Sequence, residues 1–170
     1  MSVRFVIDCL DFVRKESQRR GKIHAAEFTR LHSYLFDDNG ELTYTVNGLY
    51  NNNGKPILRL VIVGDINLCC QRCLGKLEHT LDLRADLLIA RNETELQLYD
   101  ENDEFDSILA SIELDVMMLI EDEIILNLSI SSCHQKDECS LKSLNNDNQT
   151  NDKASIDHPF AALAALKKTH

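Results

Sequence analysis

The tightest constraint in this chain is a succession of three apolar runs separated by two short polar breaks. Glu41 to Leu49 alternates through Leu42, Tyr44 and Val46, Asn51-Asn52-Asn53-Gly54 interrupts, and Pro56 to Leu68 returns with Ile57, Leu58, Leu60, Val61, Ile62, Val63, Ile66 and Leu68. Asn and Gly accept the positive φ of tight turns, so the two runs predict a β-hairpin. Around Leu60 to Val63 the second run is apolar at both parities, which predicts a central strand covered on both faces. Gly64-Asp65 predicts a bulge in it. The second break is Cys70-Gln71-Arg72-Cys73, after which Leu77, Leu81, Leu83, Ala85, Leu87 and Ile89 mark another alternating strand. Two thiols are thereby placed at a hairpin tip, within reach of one tetrahedral metal ion.

One such pair is half a site. Cys133, His134 and Cys139 offer the other half from a short polar segment far along the chain, and the full donor count suits a structural Zn²⁺. The Cys133 to Cys139 spacing is irregular for zinc, so a reduced, purely structural cysteine set is the favoured expectation and zinc the alternative. Cys9 and Cys69 are expected to be buried as small hydrophobes.

The chain has 170 residues, 44% of them hydrophobic, enough for one domain with a core plus a tail. Its formal net charge of -10 and pI near 5.0 argue against a general polyanion binder, since phosphate affinity comes from clustered Lys and Arg. A local basic patch is still compatible with that balance. No apolar run reaches the roughly 20 residues of a membrane span. The N-terminus lacks the features of a secretory signal, so a cytoplasmic protein is expected, with stable disulfides disfavoured.

Val3 to Ile7 predicts a short strand and Asp8 to Arg20 a helix, with Leu10, Val13 and Ser17 on one face, Arg14, Lys15, Arg19 and Arg20 on another, and Gly21 as its stop. The basic face is either simply solvated or a contact for RNA phosphate or an acidic partner. Lys22 to Phe28 fits a short strand, and Ala25 to Phe36 fits a helix equally well. Asp37-Asp38-Asn39-Gly40 predicts a turn. The acidic run from Tyr99 to Asp106 is expected to be an exposed loop, because its like charges repel. Ile112 to Leu114 predicts a strand. Asp115 caps a helix to about Leu128 along Met117, Ile120, Ile124 and Leu128, with Asp122 and Glu123 away from that stripe. Glu121 lies at its edge and is expected to snorkel or pair with an Arg. Ile124 to Ile130 also fits a strand.

The tract Asn145 to Asp152 buries too little apolar surface to offset its ordering entropy. Beyond it Pro159 suits the first turn of a helix, Phe160, Leu163 and Leu166 form an apolar side, and Lys167 and Lys168 suit the C-terminal dipole. A helix this short is marginal alone, which favours a partner-docking peptide over one that packs back on its own domain or frays. The fold class expected is α+β: an antiparallel sheet with flanking helices, its closure into a barrel left open, and a disordered linker ending in a short helix. The divisions are an α+β domain over 1–140, a flexible linker over 141–157 and an amphipathic peptide over 158–170.

Taken together, Cys70-Gln71-Arg72-Cys73, the run Ile120 to Leu126 with Leu128, the His134 and Cys139 that follow, and Pro159-Phe160-Ala161-Ala162-Leu163-Ala164-Ala165-Leu166-Lys167 resemble the YceD family of bacterial proteins. The resemblance implies a non-enzymatic role in accumulation of 23S rRNA, and so in large-subunit assembly; relatives occur in plastids. It also implies that further cysteines follow the second cluster in some members, where this chain has a polar linker instead.

Two function classes follow. The first is a ribosome-biogenesis factor supporting synthesis, processing or stability of 23S rRNA. Arg14, Lys15, Arg19, Arg20, Arg72 and Lys76, with the peptide Pro159, Phe160, Leu163, Leu166 and Lys167, would contact a 23S rRNA precursor directly or through an rRNA-maturation or ribosomal protein. The alternative is a thiol redox or metal-handling protein using Cys70 and Cys73. A redox pair usually sits at a helix N-terminus, not a strand-to-strand turn. The sequence has no phosphate-binding glycine loop, no H-E-x-x-H and no convincing nucleophile and base pair. Neither an enzyme, a small-molecule substrate nor a membrane partner is expected.

Overall fold

The chain opens with β1 (Val6–Ile7) and a short helix α1 (Cys9–Arg14), then β2 (Gln18–His24) and two 3-10 turns, Ala25–Glu27 and Leu31–Tyr34. Three long strands follow, β3 (Leu35–Tyr50), β4 (Pro56–Cys69) and β5 (Lys76–Ala90), before α2 (Glu93–Asp100), β6 (Ser107–Leu109), β7 (Leu114–Asp115) and α3 (Val116–Asn127). The computed structural model describes residues 5–101, 106–135 and 138–139, all within one compact unit, Met1–Cys139. The linker over 141–157 and the peptide over 158–170 lie outside the described residues.

β3, β4 and β5 pair antiparallel, as their alternation demands. Among the described residues the sheet has the order β2-β3-β4-β5-β6 and stays open, with β2 and β6 as its edges and no closure into a barrel. It is mixed, because β6 pairs parallel to β5. β1 and β7 form a separate antiparallel pair. The fold is α+β.

One face of the sheet carries the core. Leu42 and Val46, Leu58, Leu60 and Ile62, and Leu81 and Leu83 are buried there with Phe12 and Val13 of α1, Phe28 and Leu31 beside the 3-10 turns, and Val116, Ile120 and Ile124 of α3. The other face is largely open. Val63 is 46% exposed, and Arg59 forms a bidentate pair with Asp86 at 2.6 and 2.7 Å on the neighbouring strand. The expectation that β4 is covered on both sides therefore holds only at its start. There a smaller cluster of Ile57, Leu88, Ala90 and Tyr99 gathers.

Several elements differ from their sequence patterns. The first helix stops at Arg14, not Arg20, so Arg19 and Arg20 lie on β2. Glu16 (φ 46) supplies the left-handed residue: its N–H reaches the Val13 carbonyl at 2.9 Å and the Ser17 N–H reaches the Phe12 carbonyl at 3.0 Å. This is a Schellman ending without its usual glycine. Gly21 stops nothing. It faces Tyr44 across the ladder, and a Cβ there would meet the Tyr44 hydroxyl at 2.6 Å.

Asp37 to Gly40 makes no hairpin turn but a break in register within β3, where the Asn39 N–H bonds the Asp37 carboxylate at 2.9 Å. No bulge forms at Gly64, which pairs in register with Leu42. Its missing side chain lets the Glu41 carbonyl approach to 2.3 Å from where a Cβ would be. The expected acidic loop is helix at its start, and residues 102–105 of it lie outside the described residues. Tyr99 and Asp100 close α2, and Tyr99 is buried, with its hydroxyl on Glu95 at 2.5 Å. The strand expected over Ile112 to Leu114 is instead β6 and β7 on either side of an exposed Ile112. α3 follows its pattern, with Asp115 accepting from Met117 N–H at 3.0 Å. Glu121 pairs with Arg30 as the sequence suggests. Glu123, expected away from the apolar stripe, is buried.

Candidate metal centre

The turn between β4 and β5 is closed by two backbone bonds, Leu74 N–H to the Cys70 carbonyl at 2.8 Å and Cys70 N–H to the Gly75 carbonyl at 2.9 Å. Leu74 takes φ 58, which turns the chain sharply after the second thiol. This knuckle docks on the segment after α3 through Gln71 N–H and the Ser132 carbonyl at 2.9 Å. That contact brings His134 and Cys139 over the turn.

The ligand-type atoms of Cys70, Cys73, His134 and Cys139 all lie within 4.8 Å of one another. Cys70 Sγ is 3.9 Å from Cys139 Sγ, and Cys73 Sγ is 3.4 Å from His134 Nδ1. Tetrahedral zinc with ordinary bond lengths separates two sulfurs by about 3.8 Å and a sulfur from a nitrogen by about 3.6 Å. Three soft thiols and one imidazole at these separations suit that ion. Cys70 and Cys139 are buried.

The electrostatics divide the four groups: Cys70 and Cys73 are shifted toward the ligating thiolate, Cys139 and His134 toward the protonated forms that a metal would have to displace. Burial opposes ionisation of Cys70, but N–H groups of Cys73, His134 and Arg72 aimed at its sulfur bring the thiol down to about 5. Gly75 N–H, then the Cys139 thiol, lower Cys73. Burial, with Cys73 and Cys70 alongside, pushes Cys139 up to about 11. The Lys76 carbonyl, then Cys70, raise His134. That carbonyl sits 2.8 Å from His134 Nε2 and can only accept. In the neutral ring Nδ1 is therefore left with its lone pair toward the thiols.

Of the sequence candidates, Cys133 falls outside the cluster; it is half-exposed, with Ser131 Oγ at 3.5 Å from its sulfur. Cys9 is fully buried and Cys69 partly so. Arg72 and Lys76 are exposed beside the knuckle, Lys76 at 3.2 Å from Glu78. The N-terminal basic residues do not form one helix face. Arg14 and Lys15 flank Asp11 on α1, and Lys15 shares a surface depression with Arg19. Arg20 is the next residue along β2 and points to the opposite face. Pro159, Phe160, Leu163, Leu166 and Lys167 lie outside the described residues. The Lys76 carbonyl and Gly75 carry no residue-type signal, since both act through the backbone.

A sheet-borne cysteine knuckle docked on the segment beyond the last helix defines a small α+β domain with a Cys/His centre. Residues 58–167 match the family described as large ribosomal RNA subunit accumulation protein YceD, and the chain belongs to that family. The match takes in the knuckle and its docking segment. The family is named for accumulation of an RNA, not for a reaction. No solved structure matches the chain. No helix among the described residues is long and apolar enough to cross a membrane.

Proposed function

We propose that this protein is a non-enzymatic ribosome-biogenesis factor that sustains synthesis, processing or stability of 23S rRNA in the cytoplasm. Membership of a family named for that accumulation is the observation that carries the reading. A structural zinc ion, held by Cys70, Cys73, His134 and Cys139, would fix the knuckle against the segment after α3 and supply no chemistry beyond that cross-link. Arg72 and Lys76 beside it, Lys15 with Arg19, and Arg14 and Arg20 on their own faces would contact the precursor RNA or a maturation or ribosomal protein. The peptide over 158–170, tethered by 141–157, would add a docking contact through Phe160, Leu163 and Leu166.

A redox role for Cys70 and Cys73 is weaker. A reactive thiol needs access, and Cys70 is wholly buried. The test is to replace Cys70 and Cys73 together by Ser in growing cells and compare 23S with 16S rRNA. Selective loss of 23S rRNA with unchanged thiol balance is expected. Unchanged 23S rRNA, with the variant protein as unable to support growth as a deletion, would overturn the reading.

A further inference from the structure

β6 pairs with β5 only at Leu88, Ile89 and Ala90. The preceding edge of β5, Arg84 to Leu87, has no strand beside it among the described residues. Between that edge, α3 and the start of β6 opens a cleft of about 900 Å³. Its charged lining is Asp86, Asp100, Asp106, Asp122 and Glu123 against a single Arg84. Asp86 is held by Arg59, Asp122 by Arg30 at 2.5 Å, and Asp100 accepts from Ser107 Oγ at 2.6 Å.

Glu123 has no such partner. It is 7% exposed, lines the cleft, and makes no hydrogen bond or ion pair among the described residues. Burial, then the charges of Asp106 and Asp122, push its carboxyl up. Its carboxylate oxygens keep access to the cleft, since among the described residues no solvent-excluded side-chain oxygen lacks a partner, and a positive charge entering the cleft would stabilise them.

The chemistry of the missing partner is narrowed by three facts. Among the described residues the set of metal-type donors that converges is the Cys/His cluster, so the cleft carboxylates are too spread for one ion. Phosphates would be repelled by them. The cleft is larger than one side chain and is walled by a strand edge with backbone groups to pair.

We propose that this cleft receives a basic, extended segment of a partner protein, which pairs with the β5 edge at Arg84 to Leu87 and sets an arginine or lysine against Glu123 and Asp106. Alternate side chains of an added strand face one way, so a segment with basic residues at every second position fits. The interaction is separate from any contact with RNA, and its failure would leave the rRNA reading untouched.

The test uses the full chain and a fluorescein-labelled peptide of alternating arginine and threonine, followed by anisotropy at physiological salt. Saturable binding is expected, weakened at least about tenfold by Glu123→Gln and no more than about twofold by Glu113→Gln, which removes the same charge from an exposed site outside the cleft. Circular dichroism confirms that both variants are folded. Equal loss in both variants, no loss in Glu123→Gln, or displacement of the peptide by an equal concentration of spermidine would each overturn the proposal.

Discussion

His134 Nε2 donates to the main-chain oxygen of Lys76 across 2.8 Å, and that bond decides which ring nitrogen faces Cys73. The Lys76 carbonyl belongs to the first residue of β5, so the sheet itself sets the imidazole orientation. We predict about one equivalent of zinc per chain, lost with Cys139→Ser or His134→Ala and retained with Cys133→Ser. Elemental analysis of the purified variants checks this. Equal zinc loss in Cys133→Ser would remove the assignment of His134. Chelation should lower the melting temperature, and zinc but not magnesium should restore it.

Glu121 anchors α3 to the turn before β3. Its carboxylate accepts the N–H groups of Arg30 and Leu31 at 2.6 and 2.9 Å and the Arg30 guanidinium at 3.2 Å. Replacing it with Ala should cost about 3 kcal/mol, because one buried and one part-buried N–H donor and a guanidinium lose their acceptor. Burial opposes its ionisation, yet the Leu31 and Arg30 N–H groups win and hold it below the usual carboxylate range. Its contribution is therefore present above the ordinary glutamate value of about 4.3 and fades as pH falls through the lower folded value. Urea unfolding of wild type and Glu121→Ala should converge in acid. A constant gap across pH would mean that packing, not charge, carries the effect.

Glu123 has the opposite sign. Its folded-state value is raised, so any favourable contribution exists below about pH 4.3 and is lost as pH rises through the folded value. Glu123→Gln should be more stable than wild type by about 1 kcal/mol near neutrality and gain nothing in acid. Chemical denaturation at both pH values decides it. A variant less stable at neutrality would mean that Glu123 has a partner in the folded chain.

The end of α1 offers a backbone test. Glu16 is exposed at φ 46, a conformation that glycine adopts without the Cβ penalty. Glu16→Gly should raise stability by about 0.5 to 1 kcal/mol, measured by thermal unfolding. A decrease would show that the Glu16 side chain contributes more than the backbone strain removes.

What the sequence made legible follows from how local each signal was. The β3–β4 and β4–β5 hairpins were readable because Asn51 to Gly54 and Cys70 to Cys73 interrupt strong alternation, and α3 because Asp115 precedes a helical stripe. α1 looks too long in the sequence, since its left-handed cap is Glu16 and the nearest glycine, Gly21, serves Tyr44 across the sheet. α2 has its Asn92 cap, but its acidic surroundings look like those of a solvated loop. Within the centre, residue type identified Cys70, Cys73, His134 and Cys139, but only the fold excludes Cys133 from the cluster. Glu123 looks solvent-facing in the sequence because α3 is buried by β5 on one flank as well as by the core, which a single apolar stripe does not reveal.

Cys70 and Cys139 are 69 positions apart in the chain, and Cys73 and His134 are 61. The stretch between them holds β5, α2, β6, β7 and α3, while β3 pairs with β4 and β4 with β5 through short turns. Short loops close early, so we expect the meander to form first and the knuckle to meet its docking segment last. The proposed ion, bridging that distance, would act chiefly on the unfolded chain, removing about 4 kcal/mol of loop entropy from it. The segment from β5 to Cys139 would then become a unit whose opening depends on metal supply, while amide protons of the β3–β4 hairpin would exchange slowly either way.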